Sequence, residues 1–290
     1  MRRRSCNSNS SEPGSREGVP DRVPRERRFR ARVEYDGTDF AGFQLQPGAR
    51  TVQGELEIAL ARLSGGERVV VDGAGRTDAG VHATGQVIAF TYTGRLPATE
   101  LGRAIGALLP PDVAIRDVRR VPLGFKPRTA ARYREYRYTV WNGPRSPLRE
   151  RQALGVRVPL DIAAMARAGS VFEGRHDFRA FGGGDHSTVR TVHAVRVRRD
   201  GRLVTIDVRA NAFLRGMVRR MVAALLEVGR GKMDEAEVRA ALAAGTPALD
   251  GAAAPAKGLC LRRVVLGRCD ATGVGGRPMR LDDGVEEDLG

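Results

Sequence analysis

Residues 189–209 read VRTVHAVRVRRDGRLVTIDVR. Two runs in this stretch alternate apolar and polar residues with a period of two, the pattern of a strand that buries one face. Between them Arg199-Asp200-Gly201-Arg202 supplies a tight turn, so residues 189–198 and 203–209 read as an antiparallel hairpin. Along Val195-Arg196-Val197-Arg198 the valines point inward and the arginines outward. An antiparallel hairpin among irregularly alternating strands and helices argues for an α+β fold and against a doubly wound parallel sheet.

On both sides of the hairpin the apolar period switches repeatedly. Residues 29–35, 68–71, 86–92, 113–118, 133–141 and 259–266 read as strands. A helix opens at Thr51 with Val52, Leu56, Leu60 and Leu63 on one face, and Gly65-Gly66 ends it. Residues 99–109 form another, stopped by Pro110-Pro111. Asp161 caps a helix that runs to residue 172, and residues 212–228 form the strongest helix of the chain. Asp234 caps a shorter one, with Glu237 as its capping-box partner.

The net charge of +15 is not a property of the ends. Residues 1–28 contribute +4 and residues 281–290 contribute −5, which leaves +16 on the body. A basic folded body points to a polyanionic partner. Only Lys126, Lys232 and Lys257 are lysines, so 46 of the 49 bases are arginine, the side chain that grips phosphate bidentately and stacks on bases. A GC-rich genome would favour Arg over Lys, but it would not create the excess of bases over acids.

These observations give two related halves, residues 29–122 and 123–270. Together they build a largely antiparallel mixed sheet with helices on one face and a basic RNA-binding cleft on the other. Residues 1–28, rich in Ser, Arg, Pro and Glu, read as a disordered extension, and residues 271–290 as a loose acidic tail. No apolar segment follows the leading arginines, and the most apolar stretch, residues 217–228, is broken by Arg219, Arg220 and Glu227. Neither a secretory signal nor a membrane span is expected, and a cytoplasmic location is the default. Cys6, Cys260 and Cys269 lie in no CxxC pair, and the four histidines make no HxxxH or HExxH, so neither disulfides nor a metal site is expected.

The densest chemistry lies in Asp72-Gly73-Ala74-Gly75-Arg76-Thr77-Asp78-Ala79-Gly80-Val81-His82-Ala83. It is neither a dinucleotide fingerprint nor a P-loop: Asp78 stands where the third glycine would fall, and no Gly-Lys-Ser/Thr is present. It does offer a carboxylate held by a glycine turn, two residues after a guanidinium, where the backbone can approach a substrate closely. Residues 133–141 (YREYRYTVW) place Arg134, Tyr136, Tyr138 and Val140 on one face. A tyrosine there can stack on an extruded base or move a base proton through its hydroxyl, and Tyr138 reads as a core aromatic. His82, His176, His186 and His193 read as structural, loop or RNA-contacting residues. The same residues admit two other classes, a non-catalytic RNA-binding protein and a metal-dependent nuclease built on Asp72, Asp78 and His82. Nothing else in the chain completes the nuclease's ligand set.

Gly75-Arg76-Thr77-Asp78-Ala79-Gly80-Val81-His82-Ala83 resembles the signature of the tRNA pseudouridine synthase A family. Four further segments resemble that family in order: YDGTDFAGFQ at 35–44, Tyr136-Arg137-Tyr138, NAFLRGMVR at 211–219 and APAKGL at 254–259. Two departures are Phe43-Gln44, where many members have Trp-Gln, and Phe125-Lys126-Pro127-Arg128, where many have His before Ala-Arg. The resemblance implies isomerisation of uridine to pseudouridine at tRNA positions 38 to 40, without cofactor or metal, by a homodimer that clasps the tRNA. It implies Asp78 as the essential carboxylate, acting as nucleophile or as base. Arg76 and Arg219 resemble the arginines that flank it, one pairing with Asp78 and either meeting a phosphate. Tyr136 and Arg128 are the remaining substrate-binding residues it implies.

Overall fold

The protein is described from a computed structural model covering residues 26–184, 187–247, 249 and 253–267. Ten strands form one sheet: β1 (Arg27–Tyr35), β2 (Val71–Gly73), β3 (His82–Tyr92), β4 (Val113–Val121), β5 (Ala131–Asn142), β6 (Leu154–Val156), β7 (Gly174–Asp177), β8 (Val189–Asp200), β9 (Leu203–Ala210) and β10 (Leu259–Leu266). The helices are α1 (Val52–Leu63), α2 (Ala98–Leu108), the single turn α3 (Pro127–Ala130), α4 (Ile162–Ser170), α5 (Met217–Gly229) and α6 (Glu235–Ala244). The strand order is β4-β1-β3-β10-β5-β9-β8-β7, with β2 beside β3 and β6 beside β5. Only β3/β10 and β5/β6 are parallel among the described pairs, so the expected α+β class with a largely antiparallel mixed sheet holds.

The helix starts follow from local chemistry. Thr51 Oγ1 accepts from the Gly54 amide, and Asp161 accepts from the Ala164 amide. Asp234 and Glu237 close a reciprocal capping box, each side chain accepting from the other's amide at 2.8 Å. Each such cap is worth about 1 kcal/mol. The β8–β9 turn is tighter than the four-residue stretch suggests: Asp200 pairs Leu203, and Gly201 takes the positive φ of 55° that the turn requires.

Several boundaries differ from expectation, β3 for one beginning at His82 and not at residue 86, and two of them have a clear local cause. The second strand begins at Val71 and not at residue 68, because the buried Glu57 carboxylate accepts from Arg68 Nε and from the Val71 amide. That carboxylate holds residues 68–70 as a loop. Helix α5 begins at Met217 and not at residue 212, because Gly216 turns the chain with φ of 71° and Asn211 Oδ1 ties Thr191 and Ala212 to the strand end. Of the expected leading extension, Arg27 and Arg28 belong to β1, and the rest lies outside the described residues apart from Glu26. The acidic tail, His186, Cys6 and Cys269 also lie outside them. No helix among the described residues is long and apolar enough to cross a membrane.

Directly opposed residues on neighbouring strands share a face of the sheet. By register, Ile115, Val33 and Gln86 share one face, and Leu261, Tyr136, Val208 and Val195 share one. The pairings Tyr35↔Ala83 and Ala83↔Leu261 show that these are the same face. Helix α2 covers it over Ile115 and Val118, and α4 covers it over Val195 and Val197. The other face carries ion pairs such as Arg32–Asp117, Arg116–Glu34 and Arg137–Asp207. Tyr136 and the cleft it lines therefore lie on the helix-bearing face, between the two groups of helices. The cleft thus lies on the face opposite to the expected one: period-two patterning separates two faces but does not say which of them the helices leave open.

Candidate active site

Strand β10 creates the site. Its Leu261 lies between Ala83 of β3 and Tyr136 of β5, which sets the Asp78 loop within two strand spacings (about 10 Å) of the central tyrosine. The loop leaves β2 through buried Ala74, whose amide bonds the Val87 carbonyl. Gln86 Nε2 holds the Gly75 carbonyl at 2.8 Å, and the Tyr35 hydroxyl lies 2.8 Å from Thr77 Oγ1 in the core. Asp78 is thus presented from a loop pinned on both sides.

The segment at 35–44 closes over this loop. A Cβ at Gly37 would lie 2.0 Å from the Val81 carbonyl oxygen, and one at Gly42 would lie 2.9 Å from that of Thr77, so only glycine permits the approach. Buried His82 locks the far end: its Nδ1 accepts from the Gly37 amide at 3.1 Å, while Nε2 lies 2.9 Å from the Arg151 and 3.1 Å from the Lys257 carbonyl oxygen. Nδ1 also lies 3.1 Å from Asp36 Oδ1, so His82 ties the 35–44 segment to the chain around Arg151 and Lys257 as a structural clamp.

All five expected site residues line one cavity of about 510 Å³: Arg76, Asp78, Arg128, Tyr136 and Arg219. The Asp78 side chain is 35% exposed, and its Oδ2 lies 3.6 Å from Arg219 Nη1. Arg219 is the third residue of α5, and its Nε donates to the Ala254 carbonyl at 2.7 Å, which aims the rest of the guanidinium at the aspartate. Arg76 and Arg128 are exposed and have no carboxylate partner among the described residues. Of the two arginines expected beside Asp78, Arg219 makes the pair and Arg76 leaves its charge free for a ligand.

Tyr136 is buried, and its ring meets Phe213 edge-on at 5.1 Å. Its hydroxyl has no hydrogen-bond partner among the described residues. Burial pushes the phenol well above its ordinary range, the Arg134 charge opposes that shift and the Asp78 charge adds to it. Tyr136 therefore stays protonated at neutral pH. Tyr138 is a core aromatic as expected, its hydroxyl donating to the Pro255 carbonyl at 2.9 Å.

Two features escaped the sequence reading. Arg134, on the same face as Tyr136, is a buried cation that donates to four carbonyls: Ala74 and Asn211 at 2.7 Å, Arg128 at 2.8 Å and Ala131 at 3.4 Å. It binds together the Asp78 loop, the turn α3 that carries Arg128 and the Phe213 loop; the alternation around Tyr136 marked its face but not these partners. Phe213, Leu214 and Arg215, read as part of a helix, are loop residues that line the cavity. Among the described residues no group of three His, Cys, Asp or Glu side chains could hold a metal ion. The arrangement offers one carboxylate, a guanidinium beside it, a protonated phenol in the same cavity and unpaired cations. It suits reaction at the sugar or base of a bound polyanion.

The profile of a family described as tRNA pseudouridine synthase matches residues 31–128 and 168–265. A protein named tRNA pseudouridine synthase A from Geotalea uraniireducens (strain Rf4) is 43% identical over 242 residues, covering 82% of this chain and 99% of the relative. One of the same name from Brevibacillus brevis (strain 47 / JCM 6285 / NBRC 100599) is 44% identical, with the same shares covered. Among solved structures, the archaeal box H/ACA sRNP Nop10–Cbf5 complex aligns with 68% of this chain and 44% of that one, at 15% identity and a TM-score of 0.31.

Proposed function

The chain belongs to the tRNA pseudouridine synthase family, and we propose that Asp78 carries its isomerisation of uridine to pseudouridine. The reaction breaks the bond between C1′ and N1 of uridine, turns the base and forms a bond from C1′ to C5. The proton on C5 is released and N1 gains one, so atoms balance with no redox partner. Asp78 acts as nucleophile or as base towards the sugar. Arg219, at 3.6 Å, stabilises its negative charge and orients it. The protonated Tyr136 stacks under the base, a role that needs no change in its charge. Arg76 and Arg128 receive the backbone phosphates that flank the extruded nucleotide.

The finer reading is that the targets are uridines 38 to 40 of the anticodon stem-loop. We place the two halves, residues 29–122 and 123–270, as the walls of the cleft, in a cytoplasmic homodimer that clasps one tRNA. The observation that carries the proposal is the partly exposed Asp78 paired with Arg219 in one cavity with buried Tyr136. The experiment is tritium release from tRNA labelled at uridine C5, with and without EDTA. Release that EDTA leaves unchanged and Asp78→Asn abolishes supports the proposal. Normal release by Asp78→Asn overturns it.

A further inference from the structure

A second cavity, of about 640 Å³, lies against the first. The two share Phe43, Gln44, Gly75, Arg76 and Arg128 as a common wall. Its floor is electrically settled: buried Arg28 pairs with Asp72 at 2.5 Å and donates to the Phe125 carbonyl at 2.7 Å. Its rim is not, because Arg76, Lys126 and Arg128 are all exposed and lack a carboxylate partner among the described residues. Its sides carry Val70 and Leu123, which are 54% and 60% exposed. They are two of the six large apolar residues that are exposed among the described ones.

Free cations at a rim and bare apolar walls below it match a nucleotide, whose phosphate is anionic and whose base has two apolar faces. An acidic peptide would satisfy the rim and leave Val70 and Leu123 bare; an apolar ligand would leave the cations unpaired. The five shared residues make the two cavities contiguous. A strand that places one nucleotide over Asp78 thus brings its neighbour to this second cavity. We infer that the cavity between Leu123 and Val70 is a subsite for the base of the nucleotide adjacent to the target uridine, with Lys126 on the connecting phosphate. The subsite makes the enzyme read an unstacked dinucleotide, so a target whose neighbour stays stacked in a helix binds less tightly. This inference rests on the reading of Asp78 as the reacting group.

The test is a double-mutant cycle on the full chain, read by binding. The dissociation constant is measured for wild type and for Leu123→Ala. The probes are an anticodon stem-loop RNA and the same RNA made abasic at the nucleotide on one side, then the other, of the uridine that wild type converts. Loss of the buried aliphatic contact should weaken binding of the intact RNA by about fivefold. It should leave the abasic RNA unchanged for one of the two neighbours. Val70→Ala should repeat the pattern, which guards against a folding artefact at one position. Equal weakening of intact and abasic RNA by both variants overturns the subsite. Turnover by Asp78→Asn on the same RNA would overturn the catalytic reading alone, since the binding cycle does not depend on it.

Discussion

Arg219 Nη1 lies 3.6 Å from Asp78 Oδ2, while Nε of the same guanidinium is committed to the Ala254 carbonyl at 2.7 Å. The carbonyl holds the arginine, and the arginine holds the aspartate. Both side chains are partly exposed, so the pair contributes under about 1 kcal/mol to folding. Arg219→Met should therefore unfold close to the wild-type midpoint while kcat/KM falls on the order of a hundredfold. Arg219→Lys keeps the charge without the fork and should recover only part of that loss. Steady-state kinetics beside thermal unfolding check both, and equal kinetics for Met and Lys would show that the orientation is immaterial.

Arg134 should matter to the fold as much as to the site. It satisfies four carbonyls with a buried charge and has no carboxylate partner among the described residues. Burial pushes its guanidinium below the ordinary arginine range, with the nearby Arg128 charge pushing the same way. Arg134→Met strands those acceptors and should destabilise the protein by about 3 kcal/mol in urea unfolding. A cost under 0.5 kcal/mol, roughly that of an ordinary surface change, would contradict the clamp.

Three phenols set the alkaline limit of stability. Burial raises Tyr35, Tyr136 and Tyr138 above their ordinary range, with hydrogen bonding to Thr77 opposing the rise at Tyr35. The folded state therefore keeps these protons above the pH at which the unfolded chain releases them, near pH 10. The stability this gives is intact below pH 10 and is lost as pH rises beyond it. Unfolding free energy should fall steeply above pH 10, and Tyr138→Phe should make that fall shallower. An unchanged slope in Tyr138→Phe would contradict the account.

Arg128 is a free cation on the wall between the two cavities. If it meets a phosphate, Arg128→Ala lowers the slope of log Kd against log salt for tRNA by about one. A fluorescence titration between low and moderate salt measures it. A weaker complex with an unchanged slope would place Arg128 away from the backbone.

Much of this architecture is written locally in the chain. Thr51, Asp161 and Asp234 announce three helices because a cap involves only the next few residues. The alternation at 189–209 announces a hairpin because its partner strand is close in sequence. The errors arose where distant segments decide. Phe213 and Leu214 continue a helical apolar period, but Gly216 and the Asn211 side chain hold them as loop. Strand β10 enters in parallel beside β3, some 175 residues away in the chain, and no local pattern marks that insertion. The position of the cleft between the helical groups and the four carbonyl partners of Arg134 follow from the same assembly. Motif resemblance singled out the five residues that the fold brings to one cavity; composition showed only that the body is basic.

The central claim is that the Asp78 carboxylate performs chemistry and does not merely shape the loop. Asp78→Asn is nearly isosteric, and the Tyr35–Thr77 and Gln86–Gly75 contacts that hold the loop do not involve the side chain. The decisive measurement is pseudouridine formation under single-turnover conditions with saturating enzyme, beside the tRNA dissociation constant of the same variant. Asp78→Asn should lower the rate by about a thousandfold or more, with affinity within about threefold of wild type. A rate within tenfold of wild type at unchanged affinity would contradict it.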